Sequence, residues 1–168
     1  MKAIVYHAHG ALKALRWEDT ASPTLRSVQV RIDVRAAGVN FADTLKVHGT
    51  QQVKVALPWT PGAEIAGLVK EAAEGVAGLR VGDRVLGVPG YRAGGFAEEI
   101  VLGAERVLLL LASLPFEQAA ALPAAYGTAP YSLKQRARLC AGEVLLVLGA
   151  AGAWVKPSCR SLPLWVRA

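Results

Sequence analysis

Near its C-terminal end the chain carries a strand pattern that runs into a glycine turn and then stops. Residues 144–152 read Val-Leu-Leu-Val-Leu-Gly-Ala-Ala-Gly. An uninterrupted apolar run of this length, bounded by glycines, is the pattern of a strand buried on both faces of a parallel sheet. It predicts the opening of a nucleotide-binding βαβ unit. Such a unit needs about 30 residues to bring its second strand alongside the first, and sixteen residues follow Gly152. Pro157 and Pro163 exclude one continuous crossover helix among them, since each removes a backbone donor and clashes with the preceding turn. The expectation is a unit begun and not completed within residues 153–168.

The rest of the chain supports one substantial core: 168 residues, 53% of them hydrophobic. Aromatic residues make up 7%, which suits a tightly turned sheet better than a base-stacking surface. The net charge of +6 includes Lys156, Arg160 and Arg167, all beyond Gly152, and no run of Lys or Arg occurs elsewhere. No nucleic-acid partner is expected. Cys140 and Cys159 are too few for a disulfide framework, and the chain opens without a charged leader before a long apolar stretch, so a reducing, cytoplasmic setting is expected. The four leucines at 108–111 fall far short of the roughly 20 residues of a membrane helix. They are expected to form a buried strand, and no membrane partner is expected.

Val28, Val30, Ile32 and Val34 alternate with Gln29, Arg31, Asp33 and Arg35, the period of a strand with one face in the core and one in water. Short apolar runs recur at residues 3–6, 65–69, 85–88 and 96–102. Gly75, Gly78, Gly82 and the Gly94-Gly95 pair separate several of them, the pair suiting a tight connection with positive φ. This is the rhythm of a small barrel or sandwich. After Pro115 the texture becomes helical: apolar residues recur at helical spacing from Tyr126 to Leu139, with Lys134, Arg136 and Arg138 placed for a helix C-terminus.

Five ordered segments give the chain a relative. They are Ala-Ala-Gly-Val-Asn-Phe-Ala-Asp at 36–43, Pro-Gly-Ala-Glu-Ile-Ala-Gly at 61–67, Val-Gly-Asp-Arg-Val at 81–85, Gly-Phe-Ala-Glu at 95–98 and Tyr-Gly-Thr-Ala at 126–129. Together they resemble the quinone oxidoreductase and zeta-crystallin branch of the medium-chain dehydrogenase/reductase family, over residues 1–152. The resemblance implies a mainly β fold: a GroES-like, partly open β-barrel with a few helices at 1–118, then the opening strand of an incomplete α/β Rossmann cofactor domain at 119–152. Residues 153–168 form an aberrant tail. The implied chemistry is hydride transfer from NADPH to a small-molecule quinone or activated alkene, in the cleft between the two domains.

In zinc-dependent members of the wider family, the resemblance places a Cys at the position of Asn40 and a His at that of Ala63. Neither is present, and His7, His9 and His48 are scattered. Zinc sites draw on thiolate, imidazole and carboxylate donors in sets of about three or four, so no metal is expected. Without one, negative charge developing on a substrate oxygen must meet hydrogen-bond donors, and the Asn40 amide offers one. Its simpler role is to close a strand-to-loop turn. Asp43 either orients a partner or a water, or caps the helix expected to begin there. Thr128 matches a family threonine near the nicotinamide, against a simpler role capping a short helix. Glu64 is expected to be a structural partner of an Arg or of backbone N–H groups, and Tyr91 and Arg92 to lie in a solvated loop. The expected catalytic residues are therefore Asn40 and Asp43, and the expected cofactor contacts Asn40, Thr128, Gly149, Ala150 and Gly152.

Gly149, Ala150 and Gly152 begin the family's Gly-Ala-Ala-Gly-Gly-Val-Gly turn, whose glycines let backbone approach pyrophosphate at a helix N-terminus. Ala153 and Val155 stand where the next glycines belong, so weak NADPH binding and little or no turnover are expected. One nucleotide lost at the Gly152 and Ala153 codons would account for the tail, because a neighbouring frame can encode the missing glycines and an alanine-rich helix. The alternative for the tail is a natural short protein in which Trp154, Leu162, Leu164, Trp165 and Val166 cover the open edge or form a homodimer contact. The competing account of function is a non-catalytic GroES-like β-barrel module or pseudoenzyme acting through protein contacts.

Overall fold

The computed structural model describes residues 1–90, 94–146 and 148, and the chain divides into two compact units, Met1–Ala121 and Leu122–Ala168. Among the described residues seven strands build the first: β1 (Lys2–Val5), β2 (Arg16–Asp19), β3 (Gln29–Gly38), β4 (Glu64–Ala72), β5 (Arg84–Gly87), β6 (Glu99–Gly103) and β7 (Val107–Leu109). Helix α1 (Phe41–His48) follows β3, and α2 (Phe116–Ala120) ends the unit. β1 and β2 pair antiparallel, and the other five strands form an antiparallel sheet in the order β6-β3-β4-β5-β7. β6 and β7 do not pair with each other, so the sheet is open, and the architecture is the mainly β one the alternation predicts.

The core follows from that alternation. Val30 and Ile32 point inward from β3 and meet Ile65 and Val69 of β4, Val85 of β5, Ile100 and Leu102 of β6 and Val107 of β7, all buried. Burying each such side chain contributes about 1.5–3 kcal/mol. The strict period ends at Val34, where the β3–β4 register shifts before Ala36. A bulge here leaves Val34 only half-buried and re-aims the end of β3. Ala36 and Ala66 lie where α2 approaches with Ala119 and Ala120, small residues that let a helix sit close on the sheet.

Three expectations are corrected. The leucines at 108–111 are not a buried strand: β7 stops at Leu109, and Leu108, Leu109 and Leu111 are 63%, 59% and 75% exposed. β7 is an edge strand whose one neighbour is β5, so only Val107 reaches the core. Gly94 and Gly95 do not have positive φ. They are required by contact, since a Cβ on Gly94 would stand 1.7 Å from the Thr60 carbonyl oxygen and one on Gly95 2.3 Å from Ile65 Cγ2. Residues 144–146, expected as a buried strand, carry no sheet pairing, and Val144 and Leu146 are exposed. A strand of this composition is stabilised by neighbours on both sides, and none pairs with it among the described residues.

The second unit is helical from Pro123 to Arg136, starting and ending about three residues before the Tyr126–Leu139 span the spacing predicts, with Arg138 outside it at φ 53°, and it is not regular. Two wide π-helical turns, Pro123–Gly127 and Tyr131–Arg136, flank the short α3 (Thr128–Pro130). Pro130 supplies no N–H to the helical ladder and its ring crowds the preceding turn, and the turns on either side of it are wide.

Candidate active site

β3 leaves the sheet at Gly38, and two residues later Asn40 takes the N-cap position of α1 in extended conformation (φ −120°, ψ 152°). Its neighbours Val39 and Phe41 are strongly exposed, whereas Asn40 is half-buried. The Asn40 amide Nδ2 donates to Glu64 Oε1 at 2.7 Å. Glu64, at the first position of β4, is 3% exposed. It stands opposite Gly38 in the β3–β4 register, and a Cβ on Gly38 would lie 2.3 Å from Glu64 Oε1. Glycine at 38 thus leaves the space the carboxylate occupies.

Asp43, the third residue of α1, is 4% exposed. Its Oδ2 accepts from the Asn40 backbone N–H at 2.9 Å, the arrangement of a capping box, and its Oδ1 accepts from the buried Gly62 N–H at 3.3 Å. One carboxylate therefore ties the start of α1 to the turn before β4. That turn is fastened in its own right: Phe96 N–H donates to Pro61 O and Gly95 N–H to Gly62 O, each at 2.9 Å. Three of the sequence segments, around 38–43, 60–64 and 94–96, are thereby brought into one cluster.

Beside it lies an apolar groove of about 380 Å³ lined by Ile4, Trp17, Val34, Val39 and Phe96, with Arg35 among its walls. That volume falls in the range of small-molecule pockets.

Sequence reasoning missed one contact and one residue here. Glu64 was expected as a structural partner of an Arg or of backbone N–H groups, and one contact it makes is with the Asn40 side chain, 24 positions away. Lys46 is buried on the inner face of α1, with its Nζ 5.3 Å from the centre of the Trp59 ring. Burial pushes its ammonium below the ordinary lysine range, and the nearby Asp43 carboxylate partly offsets this. Asp43, Lys46 and Val47 share one face at helical spacing; the signal was present, but a lysine there reads as solvated.

Thr128, in the second unit, is exposed at the first position of α3, and no side chain caps that helix. Gly149, Ala150 and Gly152, with Tyr91 and Arg92, lie outside the described residues. Among the described residues no group of three or more His, Cys, Asp or Glu could hold a metal ion. An amide at 40 and a methyl group at 63 are not zinc donors. No helix among the described residues is long and apolar enough to cross a membrane.

Residues 26–112 match the family described as "Alcohol dehydrogenase GroES-like domain". The quinone oxidoreductase-like protein 2 homolog of Nematostella vectensis is 49% identical over 142 residues, covering 84% of this chain and 39% of that protein. Among solved structures, the quinone oxidoreductase from Coxiella burnetii superposes with a TM-score of 0.92 at 31% identity, over 98% of this chain and 53% of that one. A mycobacterial protein, Rv1454c, solved in complex with NADPH, gives 0.87 at 29% identity, over 99% of this chain and 51% of that one. The chain thus spans between about two fifths and half the length of these relatives.

Proposed function

The chain belongs to the quinone oxidoreductase branch of the medium-chain dehydrogenase/reductase family, and on that premise we propose that it is the catalytic-domain portion of a zinc-independent, NADPH-dependent reductase of quinones or activated alkenes. The observation that carries this reading is the Asn40 amide, held at the end of β3 by Glu64, next to an apolar groove able to take a planar ring. When bound, NADPH supplies the hydride. Asn40 donates a hydrogen bond to the substrate oxygen that gains negative charge, a task suited to a preorganised donor shielded from water. Asp43 positions Asn40 by holding the first turn of α1 against Gly62. With an amide at 40 and alanine at 63, the work of a Lewis acid falls to hydrogen bonding.

Asn40 and Thr128 are proposed as nicotinamide contacts, and Gly149, Ala150 and Gly152 as pyrophosphate contacts. Because Ala153 and Val155 stand at the later glycine positions, these 168 residues should bind NADPH weakly and turn over little. The reading is tested by duroquinone binding, followed by quenching of tryptophan fluorescence in chelator-treated protein. Saturable binding weakened in Asn40→Ala is expected; binding that a chelator abolishes, or that Asn40→Ala leaves unchanged, refutes the proposal.

The exposed leucines of β7 favour a second reading, a module that works through protein contacts. It predicts concentration-dependent homodimers in sedimentation and no quinone binding.

A further inference from the structure

We propose that Glu64 is the positioning residue that decides which end of the Asn40 amide faces a ligand, fixing it as a hydrogen-bond donor. This rests on the reading of Asn40 as substrate-facing and adds to it the residue that sets its polarity.

A primary amide has two nearly isosteric ends, one a double donor and one an acceptor, so an asparagine can present either to a ligand. The capping box turns the Asn40 oxygen toward the start of α1, and Glu64 fixes the other end, because its carboxylate oxygen at 2.7 Å from the amide only accepts. In the opposite flip two acceptors would face each other at that separation, and at a site only 3% exposed at Glu64 no bulk water would screen them. The observed flip forms a charge-assisted hydrogen bond, roughly twice as strong as a neutral one. It uses one of the two Nδ2 protons, and among the described residues no second acceptor is seen for the other.

Glu64 is itself held to this task by the backbone. It opens β4 directly across from Gly38, and its side chain fills the space above that glycine. The carboxylate therefore has a fixed place under the end of β3, while the Asn40 main chain is fixed independently by Asp43. The backbone of residue 40 is set by one acid and its side chain by another.

The sequence supplies a selective probe, since Asn40 is the sole asparagine of the chain. Labelling with ¹⁵N-asparagine gives one backbone N–H signal, reporting the Asp43 contact, and one side-chain NH₂ pair, reporting the Glu64 contact. In the ligand-free wild type the pair should be split more widely than in free asparagine, with one proton exchanging slowly. Glu64→Ala should collapse that splitting and speed exchange while the backbone signal stays in place. Glu64→Gln, whose amide satisfies either flip, should move the pair partway and keeps the test open if Glu64→Ala does not fold. A wild-type pair like that of free asparagine, or a pair unmoved by Glu64→Gln, overturns the assignment. Duroquinone added to the wild type then separates the two claims: a Glu64-dependent pair that quinone leaves unmoved refutes the substrate-facing role of Asn40 and leaves the Glu64 contact standing.

Discussion

Asp43→Ala is the perturbation that most severely tests how the site is held. The carboxylate accepts from two backbone donors, Asn40 N–H at 2.9 Å and the buried Gly62 N–H at 3.3 Å. Alanine leaves both donors unpaired, and an unsatisfied buried group costs about 1–3 kcal/mol. The Asn40 N–H is half-buried and falls at the lower end of that range. Removing Asp43 also deprives the buried Lys46 ammonium of a favourable charge. The sum is a loss of about 2–4 kcal/mol, against typical domain stabilities of about 5–15 kcal/mol. Urea denaturation followed by tryptophan fluorescence measures it. Asp43→Asn, which retains one acceptor, should lose less than Asp43→Ala. A loss within about 0.5 kcal/mol of wild type for Asp43→Ala, the range of ordinary surface substitutions, would refute the claim that this carboxylate joins α1 to the Gly62 turn.

Other outcomes follow from the same structure. Gly94→Ala places a Cβ 1.7 Å from the Thr60 carbonyl oxygen, so it should destabilise by about 3 kcal/mol or more or prevent folding; a normal melting curve would contradict the packing. Glu99 is held below the ordinary carboxylate range by hydrogen bonds from Lys70 and Ser22, with desolvation opposing. The unfolded chain therefore binds the extra proton, and stability should fall as pH drops from about 4.5 through the lowered folded value. Glu99→Gln should flatten that limb in urea midpoints measured against pH. Leu108→Lys on the exposed edge of β7 should leave stability within about 0.5 kcal/mol, and any homodimer seen in sedimentation, as the second reading predicts, should weaken.

What was legible in the sequence was what local chemistry dictates. The alternation foretold β3 and its inward residues Val30 and Ile32, because a half-buried strand repeats every two positions, but Val28 lies before the strand with φ 59° and is exposed. The alternation also overran at Val34, where a bulge, set by pairing with β4, breaks the period. The leucines after Arg106 misled because hydrophobicity does not say whether a strand is central or at an edge, and β7 is at an edge. The glycines at 94 and 95 were marked as necessary for the wrong reason: the Thr60 backbone at Gly94 and the Ile65 side chain at Gly95, both distant in sequence, demand them rather than positive φ. At the site, the strand end and helix start marked Asn40 and Asp43 only as turn-closing and capping residues, as the geometry at the start of α1 bears out; their catalytic reading came from the family resemblance. The Glu64–Asn40 contact could not be read, since it is visible only once β3 and β4 are placed side by side.

The account stands on Asn40 meeting a carbonyl acceptor in a site without metal. The most direct measurement is the ¹⁵N-asparagine spectrum of chelator-treated protein titrated with duroquinone. A saturable shift of the Asn40 side-chain pair, larger than that of its backbone signal, is the predicted result. Quinone that binds while the pair stays still, or a pair that shifts only after zinc is restored, would contradict it.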